Sequence, residues 1–223
     1  MIGGAGMAGK VRYYESASLR ISYDVERCIH AAECVRRLPD VFNPDRRPWV
    51  DPDRATADAI EETIVHCPTG ALHCERLTGG SEERPDPDNT VAVSPDGPLY
   101  LRGRVRVSAA DGATMLDDYR VALCRCGASA IKPLCDGKHL AIGFQDTGGV
   151  REATGSSDAA AGGAVTVSPQ PNGPNIVRGA FYLVDGRGTR CSRYEKAAFC
   201  RCGHSRNRPF CDGSHVSAGF RAD

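Results

Sequence analysis

The sequence predicts an α+β chain of three small units, the first mixed and the other two rich in strands. Three observations lead there. From Arg54 to His66, the apolar residues Ala57, Ile60, Ile64 and Val65 recur with helical spacing on one face. Two polar, glycine-containing stretches, residues 78–89 and 147–164, read as linkers. The segments on either side of the second linker repeat each other. The boundaries that follow are 11–78, 88–147 and 164–223, with residues 1–10 as a flexible start.

The repeat is read residue by residue. Gly97-Pro98 and Arg102-Gly103 return as Gly173-Pro174 and Arg178-Gly179. Cys124-Arg-Cys126-Gly127 returns as Cys200-Arg-Cys202-Gly203. Cys135-Asp136-Gly137-Lys138-His139 returns as Cys211-Asp212-Gly213-Ser214-His215. The offset is 76 residues throughout, too long for a solenoid, so a small domain is duplicated. In each copy, apolar or alternating runs predict strands: VAVS, LYLRGRVRV and YRVALC in the first, VTVS, NIVRGAFYLV and KAAFC in the second. The cysteine-rich segment that follows is a loop, with Asp136 and Asp212 as N-caps of a short helical turn.

Lysine plus arginine and aspartate plus glutamate stand at 28 each, so charge points to neither nucleic acid nor an anionic membrane. No window reaches the roughly 18–20 apolar residues of a membrane helix. The start, MIGGAGMAGK, has no signal-peptide core. A reducing cytoplasmic setting is the expectation. There, eleven cysteines, an odd number, argue for metal rather than a disulfide framework.

Three thiolates and an imidazole form a four-ligand set. Cys124 and Cys126, like Cys200 and Cys202, are two apart on extended chain and point the same way. Cys135 and His139, like Cys211 and His215, are four apart, one helical turn. Two ligand pairs suit a two-iron cluster with one pair per iron. Zinc accepts the same set but usually spaces its first pair by two to four residues. Ordinary buried cysteines would have to arise twice at one spacing.

The pattern C-x-C-x2-S-x3-P-x-C-D-G-x-H resembles the CDGSH iron–sulfur (mitoNEET-like) family. Copy two carries its signature intact as Cys211 to His215, and copy one has Lys138 where serine is usual. The resemblance implies a 2Fe–2S cluster in each copy. Cys124 and Cys126 would hold the inner iron of the first, and Cys135 and His139 its outer, more exposed iron. Cys200, Cys202, Cys211 and His215 would do the same in the second. Because family members are two-fold dimers, it also implies an intramolecular pseudo-two-fold dimer within a monomer. Histidine in place of thiolate raises the potential, and cluster retention weakens in acid. Lys138 against Ser214 either separates the two sites in potential or lability, or is a solvated surface charge.

In the first block, Cys28-Ile-His30-Ala-Ala-Glu-Cys34 is followed by Arg46-Arg47-Pro48-Trp49 and by Cys67-Pro68-Thr-Gly-Ala-Leu. Over about residues 20–76 this resembles the divergent single-cluster 4Fe–4S ferredoxin family, which implies a ferredoxin-like α+β unit. Ala31 occupies a usual ligand position. Three outcomes stay open: a 3Fe–4S cluster on Cys28, Cys34 and Cys67, a 4Fe–4S cluster with His30 as fourth ligand, or Cys74 reaching in. His66 and His73 are read as structural or solvated, and Cys191 as a free thiol.

The expected function is electron transfer, from the first cluster to the two histidine-ligated ones, with redox proteins as partners. The alternative is a cluster donor or redox and pH sensor serving an apo-acceptor. No nucleophile–base pair, phosphate loop or dinucleotide fingerprint marks an enzyme.

Overall fold

In the computed structural model, residues 11–80, 83–109, 111–150 and 163–222 are described. The expected flexible start (1–10) and residues 151–162 of the expected second linker lie outside them. The fold is mixed α+β, mostly sheet with few helices. The chain divides into two compact units, one spanning Ala8–Arg84 and one containing Pro85–Asp223. The two repeats together form the second.

The first unit is a three-stranded antiparallel sheet, in the order β1 (Val11–Glu15), β2 (Leu19–Asp24) and β3 (Leu72–Arg76). Strand β2 alternates, burying Leu19, Ile21 and Tyr23 against Val41, Phe42, Val50, Ile60 and Ile64. Two helices are inserted between β2 and β3, α1 (Glu33–Arg37) and α2 (Ala57–Ile64). Helix α2 starts three residues later than its periodicity suggested. Pro52–Arg54 forms a separate 3-10 turn, and the Thr56 hydroxyl caps the helix by accepting from the Ala59 amide. Trp49 packs on Tyr14, Tyr23 and Phe42. Arg46 donates to the carbonyls of Asp40 and Val41. The Arg-Arg-Pro-Trp signature therefore braces the loop that leads from the first cysteines to α2.

In the second unit, β4 (Thr90–Val93) runs antiparallel to the start of β5 (Leu99–Ser108) and parallel to the end of β8 (Asn175–Val184). In return, β7 (Val165–Pro169) runs antiparallel to the start of β8 and parallel to the end of β5. Each repeat lends its first strand to the other. Strands β6 (Thr114–Leu123) and β9 (Arg190–Phe199) pair outside β5 and β8. Both begin earlier than the sequence suggested, because their polar first halves pair with the partner strand. A single core joins Val91, Leu101, Val105 and Val121 to Val167, Val177, Phe181 and Phe199.

Asn89, read as linker, is built into this sheet. Its Oδ1 accepts from the Arg104 amide, and its Nδ2 donates to the carbonyls of Gly163 and Ala180. A buried amide with every atom paired fixes the chain where the repeats meet.

Candidate metal centres

In each repeat the outermost strand, β6 or β9, delivers the first pair of cysteines. Cys124 follows β6 and its Sγ is 3.8 Å from that of Cys126; the Cys200–Cys202 separation is 3.7 Å. A short helix brings in the second pair. Helices α3 (Lys138–Ala141) and α4 (Ser214–Ser217) each begin after a left-handed glycine. Cys135 Sγ lies 3.4 Å from His139 Nδ1, and Cys211 Sγ lies 3.4 Å from His215 Nδ1. The capping glycine also donates its amide to the sulfur, Gly137 to Cys135 and Gly213 to Cys211. The caps are Gly137 and Gly213, not the aspartates, which precede them. The Asp136 carboxylate accepts from the amides of Lys138 and Ala130, and that of Asp212 from the amides of Ser214 and Arg206. Each aspartate ties the helix start to the loop after the first pair.

These separations fit an iron–sulfur group. Two thiolates on one tetrahedral metal, with bonds of about 2.3 Å, lie about 3.8 Å apart. Among the described residues, no three His, Cys, Asp or Glu side chains converge on one ion position. The donors come as pairs. Burial, with the Gly137 amide opposing and Cys124 and Asp136 adding, pushes the Cys135 thiol up to about 12, and burial likewise pushes Cys202 up to about 11. Cys124 is drawn down to about 6 by the hydrogen bond from Cys126, against its burial. Thiolates in such surroundings need a cation beside them.

Between each first pair stands a buried arginine. Arg125 donates to the carbonyls of Gly97 and Ser94 and lies over the Phe144 ring; Arg201 donates to those of Gly173 and Gln170 and lies over Phe220. The two sites also meet. Cys126 and Cys202 form an antiparallel backbone bridge. A Cβ on Gly127 would stand 2.7 Å from the Cys202 carbonyl oxygen, and one on Gly203 2.8 Å from that of Cys126, and both glycines have φ of +83°. These glycines leave room for the approach.

In the first unit, the Cys34 thiol is pushed up to about 11 by burial, with Cys67 and Cys28 adding to the rise. The tyrosine hydroxyl of Tyr23 is held protonated by burial and by its hydrogen bond to Cys28. Cys67 Sγ is 3.7 Å from the Thr69 hydroxyl. Cys28, Cys34 and Cys67 thus lie within electrostatic reach of one another. In the Cys28–Cys34 loop, His30 and Ala32 both take left-handed backbone, with φ of 56° and 61°. Such alternation turns successive amides toward one side, the concavity that suits anionic iron–sulfur groups. His30 is exposed in this loop. Cys74 is paired opposite Ile21 on β3 and packs against the apolar core.

The family comparisons match these segments. Residues 14–76 match the model described as a divergent 4Fe-4S mono-cluster. Residues 96–140 and 172–216 each match the model described as an iron-binding zinc finger of CDGSH type. The chain therefore carries a divergent 4Fe–4S mono-cluster domain followed by two iron-binding domains of CDGSH type. The uncharacterised protein YjdI of Escherichia coli K12 is 33% identical over 64 residues, covering 29% of this chain and 84% of that protein. Its counterpart in Escherichia coli O157:H7 matches equally.

Within this CDGSH protein the two copies differ in cover. Cys135 and His139 are 3% and 7% exposed, whereas Cys211 and His215 are only partly buried. The greater exposure expected of the outer pair is found in the second copy and not in the first. Lys138 reaches back to Asp136 at 3.7 Å. No disulfide joins any two of the cysteines among the described residues, and Cys191 is exposed on β9. His73 pairs with Glu83 at 2.8 Å. Sequence reading passed over Arg125, Arg201, Tyr23 and Asp146. The arginines carried a signal, since both copies place Arg between the cysteines; Tyr23 and Asp146 carried none. No helix among the described residues is long and apolar enough to cross a membrane.

Proposed function

We propose that this protein is a cytoplasmic, monomeric electron carrier with three clusters, its two CDGSH copies arranged as an internal pseudo-two-fold dimer. Two 2Fe–2S clusters are assigned to Cys124, Cys126, Cys135 and His139 and to Cys200, Cys202, Cys211 and His215. One 3Fe–4S or 4Fe–4S cluster is assigned to Cys28, Cys34 and Cys67, with His30 as fourth ligand in the latter case. The observation that carries the reading is the pairing of donors, two sulfurs at 3.7–3.8 Å and a sulfur with an imidazole nitrogen at 3.4 Å, in both copies. Paired donors favour a two-metal cluster over a single zinc ion. The reciprocal loan of β4 and β7 supports the pseudo-dimer.

When bound, such clusters supply one-electron storage. The chain's part is to position them and set their charge. The glycine amides of Gly137 and Gly213 donate to ligand sulfurs, and Arg125 and Arg201 bring cations behind the inner pairs. Both favour the more negative, reduced state. In this reading, catalysis belongs to redox partner proteins. The second reading, a donor that hands clusters to an apo-acceptor, is favoured by the partial exposure of Cys211 and His215. Iron and acid-labile sulfide per chain, after anaerobic purification, test the proposal. About seven or eight irons support three clusters, and about four mean that only the repeated sites fill. Iron without sulfide, or zinc, would overturn it.

A further inference from the structure

We propose that Asp146 is a positioning residue shared by the two repeated sites, and that through it the loop of the second site sets the charge felt at the first. The inference rests on the reading of those sites as iron–sulfur clusters. Asp146 follows the first copy's motif, and its side chain is 9% exposed. Its Oδ1 accepts from Arg125 Nη1 at 2.7 Å, and its Oδ2 accepts from Arg208 Nε at 2.5 Å. Arg125 is the residue between Cys124 and Cys126, and its side chain is wholly buried. Arg208 belongs to the second copy. Its Nη1 donates to the carbonyls of Gly203 and Ser205, in the turn directly after Cys202. Gly203 in turn packs on the backbone of Cys126. The contacts close a ring from Cys126 through Arg125, Asp146, Arg208 and Gly203 back to Cys126.

The ring is one-sided. At the equivalent positions of the other copy, 76 residues away, Asp146 is replaced by Ala222 and Arg208 by Lys132. An alanine offers no carboxylate, and Lys132 Nζ turns to the Ser129 carbonyl of its own copy. The second copy reports to the first through a carboxylate, whereas at the equivalent place Arg201 Nη2 donates to the backbone carbonyl of Ala222, in its own copy. The other acidic group facing Asp146 is Asp96, whose carboxylate accepts from the Asp146 amide, while the Gly148 amide donates to Asp146 Oδ1. Two guanidinium cations and this carboxylate therefore set the local charge behind Cys124 and Cys126. An anion there disfavours the reduced cluster and a cation favours it.

The test is a redox titration of the full chain in a His215→Cys background. The added thiolate lowers the second site's potential and separates the two waves. Asp146→Asn raises the first-site midpoint. Arg208→Gln lowers it, although the residue lies in the other copy. Each shift corresponds to about tenfold in the reduction equilibrium, or about 59 mV. The double variant lies between and is non-additive, and Arg208→Lys, which keeps the charge but not the guanidinium fork, lowers the midpoint less than Arg208→Gln. General loosening would not give opposite signs. An unchanged first-site midpoint in Arg208→Gln, or shifts of the same sign, overturns the proposal. Hydrogen exchange on metal-free chain gives a readout that needs no cluster. Arg208→Gln speeds exchange at the Cys126 and Gly127 amides about fivefold or more, and unchanged exchange also overturns the proposal. A chain that takes up no iron or sulfide at the repeated sites overturns the functional reading alone.

Discussion

The sulfur of Cys28 accepts a hydrogen bond from the Tyr23 hydroxyl. A proton donor on a ligand sulfur draws off negative charge and eases reduction. Tyr23→Phe is therefore expected to lower the midpoint potential of the first domain's cluster while leaving its iron content unchanged, measured by titration followed by electron paramagnetic resonance. An unaltered midpoint would mean that the hydroxyl only fills space. Backbone conformation matters at the same scale. Ala32 holds a left-handed φ of 61° immediately before α1, which costs a non-glycine residue about 1–2 kcal/mol. Ala32→Gly should stabilise the first unit by about 1 kcal/mol in chemical denaturation, and destabilisation would show that the Ala32 methyl group contributes to packing. The motif spacings located the cysteines and histidines. They were silent on Tyr23, which lies just before the Cys28 motif but outside its pattern and reaches Cys28 because β2 alternates it inward.

Among elements, strands carry the argument. The start of β8 buries Asn175 completely, with neither amide atom paired, where the first copy has Leu99. An unpaired buried amide costs about 1–3 kcal/mol. Asn175→Leu should raise stability by that amount, read as a higher denaturation midpoint with unchanged slope, and a loss of stability would mean that an internal water satisfies the amide. The strand centres were legible in the sequence because apolar alternation marks them. The first halves of β6 and β9 were not, since residues such as Asp117 and Arg193 carry no apolar pattern and are held by the pairing of β5 and β8. Helix α2 was legible from its buried Ile60 and Ile64, and its start was set by Thr56.

For the second unit as a whole, the two copies stand in different surroundings. Burial, with Arg125 adding and Asp136 opposing, holds the His139 imidazole below its ordinary value. A lowered histidine pKa means that the neutral, ligand-competent form persists as pH falls, so acid must go further to protonate it. As pH drops below about 6.5, loss of visible cluster absorbance should be biphasic, with the half-buried Cys211–His215 site leading. His215→Cys should remove the faster phase; removal of the slower phase instead would reverse the assignment. Asp146 works the other way. Burial raises its pKa, but the hydrogen bonds and charges of Arg125 and Arg208 hold it below the usual carboxylate range. Its contribution to stability is therefore present above about pH 3.9 and is lost as pH falls through the depressed value. In metal-free protein, Asp146→Asn should flatten the acid limb of the stability profile. An unflattened limb would assign it to other carboxylates.

The sequence by itself determined the duplication, the candidate cysteines and histidines, their spacing and the domain types, because cysteine and histidine spacing is local and a two- or four-residue interval dictates which side chains share a face. Tertiary structure alone decided the rest. Which repeat each first strand joins, the approach of Cys126 to Cys202, and the ring through Asp146 all depend on residues brought together across one sheet. Such contacts are chosen by which packing buries the shared apolar core of both copies at once, and no stretch of chain read alone carries that information.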